Sequence, residues 1–168
     1  MPVNLELKVK LKSFNSIKKL LGQIEAEFKG ILNQTDIYYK TGGGLLKLRI
    51  ENGGQSIIKY LREEKKQDRF SDYKVLYFSK GNAADFFKTI FKVEAVVNKK
   101  RYLYMFDNTR IHLDSVKGLG YFLELETLVV KGKADARKRY NNTIKLLELD
   151  KYEELRKSYR DLIMKKNK

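Results

Sequence analysis

The sequence predicts an α+β fold: a closed eight-stranded antiparallel β-barrel with helices packed outside it. Three observations carry this. Eight segments read as strands, most of them separated by short turns, and short turns favour antiparallel neighbours. Eight tilted strands are the usual number that closes a small barrel. Amphipathic helical segments occur at two insertions and at the end, and each needs an apolar sheet face to pack on. Residues 1–168 read as a single domain, with a C-terminal helical segment at about 133–168.

The first strand is the clearest. Val3, Leu5, Leu7, Val9 and Leu11 alternate with Asn4, Glu6, Lys8 and Lys10, and a period of two is the strand signature. Ser13 is placed to cap a helix with Ile17, Leu20, Leu21, Ile24 and Phe28 on one stripe, ending near Gly30. Asn33–Tyr39 reads as a strand and Thr41–Gly44 as a turn. Leu45–Glu51 and Gln55–Arg62 are strands joined by an Asn52-Gly53-Gly54 hairpin turn. Glu63–Arg69 is charged and reads as a loop, and Ser71–Ser79 is the next strand. Gly81-Asn82 leads into a helix through Phe91. Val93–Tyr104 and Thr109–Val116 are strands around a Phe106-Asp107-Asn108 turn. Gly118-Leu119-Gly120 precedes a strand from Tyr121 to Val130. Asp135–Leu149 and Tyr152–Lys166 read as helices, the second basic and amphipathic.

Composition narrows the class. There are no cysteines, so disulfides and thiolate metal sites are excluded. A reducing, cytoplasmic setting fits this. No apolar leader or long apolar span is evident, so neither a signal peptide nor a membrane helix is expected. Lys and Arg number 36 against 21 acids, a net charge of +15. That sign attracts phosphates, nucleic acids or anionic lipid.

The positions of the charges say more than their sum. Glu6 and Lys8, Lys47 and Arg49, Lys99 and Arg101, Arg110 with His112 and Asp114, and Glu124 with Glu126 sit at strand centres. A solvated sheet face with cross-strand ion pairs is one explanation, each pair being worth up to about 1 kcal/mol. The helices favour another. If they cover the apolar faces from outside, the charged faces point inward. A charged interior cannot be dry without a heavy desolvation cost, so it holds water, ions or a charged ligand. Mixed acids and bases suit a polyphosphate chelated to a divalent cation. Glu6, Asp114, Glu124 and Glu126 are then candidate ligands for Mg²⁺ or Mn²⁺. Glu124 and Glu126 are two apart and share a face. Lys8, Lys47, Arg49, Arg62, Lys99, Arg101 and Arg110 are candidate phosphate clamps.

A series of motifs follows in order: Asn4-Leu5-Glu6-Leu7-Lys8, Gln34-Thr35-Asp36 before Tyr38-Tyr39, Leu46-Lys47-Leu48-Arg49, Tyr60-Leu61-Arg62, Ser71-Asp72-Tyr73, Lys99-Lys100-Arg101, Thr109–Asp114, Gly118–Glu126 and Ser158-Tyr159. With these the chain resembles the CYTH superfamily, the triphosphate tunnel metalloenzymes, and within it the class IV adenylate cyclase-like branch. The resemblance implies an eight-stranded tunnel, a triphosphate substrate such as ATP, and Mg²⁺ or Mn²⁺. It implies that Glu6, Asp114, Glu124 and Glu126 lie near metal, that the seven bases surround phosphate, and that Lys8, Arg62 and Arg110 serve catalysis. Dimers are common in that superfamily. The sequence departs from its E-x-E-x-K signature at Asn4, which offers a carbonyl oxygen but no charge; this bears on a second metal site.

Two reactions fit such a tunnel. In a cyclase the ribose 3′-oxygen attacks the α-phosphorus and pyrophosphate leaves; in a triphosphatase water attacks the terminal phosphorus. Inorganic, nucleoside and thiamine triphosphates are the hydrolytic alternatives, with Tyr39 and a nearby lysine as a water-orienting pair. A non-catalytic polyphosphate or RNA binder is the third reading. The net charge and the terminal bases Arg156, Lys157, Arg160, Lys165 and Lys166 favour it; the clustered glutamates disfavour nucleic acid. His112, the only histidine, is expected in a tunnel-wall or hydrogen-bonding role rather than as a base. Gly42-Gly43-Gly44 is a turn, because no Lys-Ser/Thr and no helix follow it.

Overall fold

In the computed structural model, residues 3–61 and 70–167 are described. Eight antiparallel strands form a closed ring: β1 (Val3–Leu11), β5 (Phe70–Phe78), β4 (Gly54–Leu61), β3 (Leu45–Glu51), β2 (Glu27–Tyr39), β6 (Val93–Phe106), β7 (Thr109–Val116) and β8 (Gly120–Leu128), which returns to β1. The helices are α1 (Asn15–Gln23), α2 (Ala83–Lys88), α3 (Lys133–Leu146) and α4 (Tyr159–Lys166). The expected loop Glu63–Arg69 and Arg62 fall outside the described residues.

The hairpins follow from their turn residues. Asn52 (φ 47°) and Gly53 (φ 82°) make the two-residue turn between β3 and β4, and Asp107 (45°) and Asn108 (54°) the one between β6 and β7. Positive φ at both central positions matches the twist of the flanking strands. The period-two pattern then sorts the faces. Leu7, Val9 and Leu11 of β1, Ile111 and Leu113 of β7 and Leu123 and Leu125 of β8 point outward and pack with Ile17 and Leu21 of α1 and with Leu147 and Leu149. Ile37, Tyr39, Leu48 and Ile57 are covered by the α2 segment through Ala83, Phe87 and Phe91. The apolar faces are therefore outside, and the charged faces line the barrel.

Two elements differ from the sequence reading. The first helix ends at Gln23, not near Gly30, and Phe14 rather than Ser13 is its N-cap. Glu25 turns left-handed (φ 53°) and β2 starts at Glu27. Phe28 extends the helical stripe in sequence, but in the fold it faces Tyr104 across the β2–β6 ladder, ring centroids 5.1 Å apart. The ladder shifts register between Phe28 and Gly30, where Gly30 takes φ 131°, a bulge position that glycine tolerates.

The second difference is at the C-terminus. Tyr152–Lys166 is not one helix. Glu154 bridges Val9, and the Leu155 N–H donates to the Lys8 carbonyl at 2.8 Å. Among the described residues β5 pairs with β1 at Val3, Leu5 and the residue between them, and the C-terminal segment lies along β1 at Lys8 and Val9. Ser158 then caps α4 through a capping box with Asp161. Tyr159 of α4, with Leu155, Leu162 and Ile163 beside it, packs on Tyr38, Ala95, Val97 and Phe122, stopping one end of the barrel with apolar side chains.

Candidate functional site

The tunnel holds two connected chambers. The inner one, about 60 Å³, is lined by Glu6, Lys8, Lys47, Arg49, Lys99, Arg101, Glu124 and Glu126, with Tyr38, Tyr60, Ser158 and Tyr159. The outer one, about 330 Å³, shares Glu6, Arg49, Tyr60, Arg101 and Glu126 with it and adds Asn4, Arg110, His112, Tyr73 and Tyr77 and the apolar Leu32, Ile58, Val75 and Leu103. Strand alternation makes this lining. Inward positions are every second residue, and β1, β3, β6, β7 and β8 carry charge at those positions.

Asp36, Asp114, Glu124 and Glu126 are each engaged by cations. Asp36, completely buried, receives a bidentate pair from Arg49 (Nε–Oδ1 2.7 Å, Nη2–Oδ2 2.8 Å) and bonds from Lys47 at 3.0 Å and Lys99 at 3.4 Å. Burial alone would raise its pKa, but Lys47, Lys99 and Arg49 hold it well below the carboxylate range. Burial and the Arg49 charge push Lys47 down to about 7. Asp114 is equally buried. It takes a bidentate pair from Arg101 (2.7 and 2.6 Å) and the Tyr159 hydroxyl at 2.8 Å. Glu124 meets Lys8 at 3.0 Å and Arg101 at 2.5 Å. Burial opposes its ionisation, yet Lys8, Arg101 and Lys99 keep it well below the ordinary range. Glu126 pairs with Arg110 at 3.1 Å. Asn4, its amide turned to suit its surroundings, accepts from Arg110 Nη2 at 3.3 Å.

Most of the residues singled out in the sequence thus meet in one cavity: Glu6, Lys8, Lys47, Arg49, Lys99, Arg101, Arg110, Glu124 and Glu126. Asp114 is not among the residues that line the two chambers; it is held by Arg101 and the Tyr159 hydroxyl. Arg62 lies outside the described residues. Tyr39 does not face the tunnel: alternation sends it outward with Ile37, against Phe87 and Phe91, so a water-orienting role is excluded by its direction. Three residues went unassigned. Asp36 was visible only as a member of Gln34-Thr35-Asp36. Tyr38 and Tyr60 lie on inward faces that alternation could have marked.

Among the described residues one group has metal-ligand proximity: His112, Glu124 and Glu126 offer ligand atoms within 4.8 Å of one another. Two carboxylates and an imidazole suit a divalent cation. His112 stays neutral, since burial and the Arg101 charge push it down to about 3. Each cation here neighbours a carboxylate, so the arrangement suits a ligand carrying both charges: phosphate oxygens for the bases, a cation for the acids. No helix among the described residues is long and apolar enough to cross a membrane.

Comparison with known proteins points the same way. The CYTH domain family matches residues 3–159. A protein of Methanocaldococcus jannaschii named "putative adenylate cyclase" is 26% identical over 171 residues, covering 95% of this chain and 98% of that protein. The solved structure of a Pyrococcus horikoshii protein superposes with a TM-score of 0.82 at 26% identity, covering 95% of this chain and 98% of the other. A Hippeastrum protein, described as a "putative adenylyl cyclase" that reveals a dominant triphosphatase activity, shares the fold with a TM-score of 0.68 at 12% identity, covering 100% of this chain and 97% of its own.

Proposed function

The chain belongs to the CYTH family, and from that premise we propose that it is a metal-dependent enzyme that binds a nucleoside triphosphate in the tunnel and converts ATP to cyclic AMP and pyrophosphate. The observation that carries the reading is the pairing of two unlike chambers. The inner one is narrow and cationic, as a phosphate chain requires. The outer one is larger, part apolar and edged by Tyr73 and Tyr77, which suits a base and ribose.

In this reading Lys47, Arg49, Lys99 and Arg101 grip the phosphates, the arginines by their planar donor fork and the lysines as point charges. Lys8 and Arg110 lie toward the reacting phosphoryl group and stabilise charge that develops on it. Arg62 is assigned to the same clamp from its place in the sequence. Glu6, Glu124 and Glu126 would hold Mg²⁺ or Mn²⁺. When bound, such a cation neutralises phosphate charge and orients the chain for in-line displacement. Asp36 and Asp114 act differently, as fixed counter-ions that aim Arg49 and Arg101. The lining explains why acids and bases alternate. In the free protein they satisfy one another; with substrate, the carboxylates exchange lysine and arginine for metal while the freed cations turn to phosphate.

A second reading is hydrolysis of the triphosphate. It is favoured by the neutral Asn4 in the outer chamber, where the superfamily signature has a glutamate, and by the Hippeastrum neighbour, whose described activity says that this fold accommodates hydrolysis. Product analysis separates the two. Purified protein is incubated with ATP, tripolyphosphate and thiamine triphosphate, each with Mg²⁺ and with Mn²⁺. Cyclic AMP with pyrophosphate is the expected result. Orthophosphate without cyclic AMP would transfer the assignment to triphosphatase, and unchanged substrate that is nonetheless bound would leave a binder.

A further inference from the structure

We infer that His112 is itself a ligand of the cation held by Glu124 and Glu126, making the site a mixed nitrogen–oxygen one that favours a transition divalent cation such as Mn²⁺ over Mg²⁺. This rests on the reading of the tunnel as a cation–triphosphate site and adds its metal preference.

The observations are geometric. His112 faces Glu124 directly across the β7–β8 ladder. It is about 96% buried, being 4% exposed, and its Nδ1 makes no hydrogen bond. Buried polar atoms are nearly always partnered, and an exception calls for a reason such as an absent ion. Glu126 Oε1 lies 3.7 Å from that nitrogen. This is too long for a hydrogen bond, but it suits two ligands on one cation, each about 2.1 Å from it. One ring nitrogen of His112 and one carboxylate oxygen each of Glu124 and Glu126 fall within 4.8 Å of one another. Glu126 Oε2 meets Arg110 while its Oε1 faces His112, and both Glu124 oxygens meet Lys8 and Arg101, so a cation here takes the Glu126 oxygen facing His112 and displaces a protein cation from Glu124.

The preference follows from ligand chemistry. Mg²⁺ is hard, selects oxygen and gives up water reluctantly. Imidazole is a common ligand of softer divalent ions, and Mn²⁺ accepts both carboxylate oxygen and nitrogen. With Asn4 in place of a carboxylate, the cluster has less negative charge with which to dehydrate Mg²⁺, and one nitrogen donor matters more.

The test is electron spin-echo spectroscopy of Mn²⁺ bound to the wild-type protein, with calorimetric affinities for Mn²⁺ and Mg²⁺ in wild type and His112→Gln. The expected results are a ¹⁴N coupling on bound Mn²⁺ that vanishes in the variant, and a fall of about tenfold or more in the Mn²⁺/Mg²⁺ affinity ratio. Bound Mn²⁺ without ¹⁴N coupling in wild type, or an unchanged ratio in the variant, overturns the inference and leaves the proposed function standing. Failure of the wild type to bind either ion overturns both. Should His112→Gln fail to fold, the wild-type spectrum alone decides.

Discussion

Asp36 organises the cationic wall although it belongs to neither pole of the proposed ligand. Three cations converge on its two oxygens, and its own exposure is nil. Without that charge, Lys47, Arg49 and Lys99 would repel one another in a low-dielectric cavity. Asp36→Asn should therefore cost about 3 kcal/mol of stability, the usual scale for removing one member of a buried ion pair, read from urea unfolding midpoints. An unchanged midpoint would show that the cations need no fixed counter-ion. This residue also marks where sequence reading stops. Alternation identifies which acids point inward, as it did for Glu6, Glu124 and Glu126. It does not show which partners an inward acid meets or whether it lines the cavity. Asp114 looked like a ligand because it sits in a charged triplet with Arg110 and His112. The fold instead sets it against Arg101 and the Tyr159 hydroxyl, away from the residues that line the chambers.

The C-terminal segment does the work of a barrel stopper. Residues 154 and 155 hold the edge of β1, and the Lys157 carbonyl accepts from Lys8 Nζ at 3.1 Å. Tyr159 then lies under both Lys8 and Lys99, 4.2 and 5.1 Å from ring centroid to nitrogen, a cation–π arrangement. Its position depends on the cap at Ser158. Ser158→Ala removes the side-chain half of the capping box and should cost about 1 kcal/mol, visible as a lowered thermal midpoint; no shift would mean that packing alone seats α4. Sequence periodicity could not show the break before Ser158, because Tyr152, Leu155, Tyr159 and Leu162 fit a helix as well as they fit this bent course. A backbone competitor decided it: β1, a strand nearly the whole chain away, whose Val9 bridges Glu154 and whose Lys8 carbonyl accepts from Leu155. The strands themselves were legible because period two was unbroken in β1, β3 and β7. The start of β2 was not, since Phe28 continues a helical stripe as naturally as it pairs with Tyr104.

As a whole the molecule separates its two kinds of surface in an unusual sense, apolar outside under helices and charged inside around a ligand-sized space. The excess of positive charge over the chain attracts anions of every kind, so charge alone does not distinguish a tunnel enzyme from a nucleic-acid binder. The carboxylates beside His112 bear on it, because in the proposed reading the recognised ligand carries a cation. Calorimetric titration with tripolyphosphate, in Mn²⁺ and again in excess chelator, for wild type and for Arg49→Ala, puts this most directly. Binding in the tunnel predicts that affinity depends on the divalent cation and that Arg49→Ala weakens it about 10- to 100-fold, the worth of a charge-assisted bidentate contact. Affinity indifferent to chelation and to Arg49, and falling only with added salt as surface binding does, would contradict it.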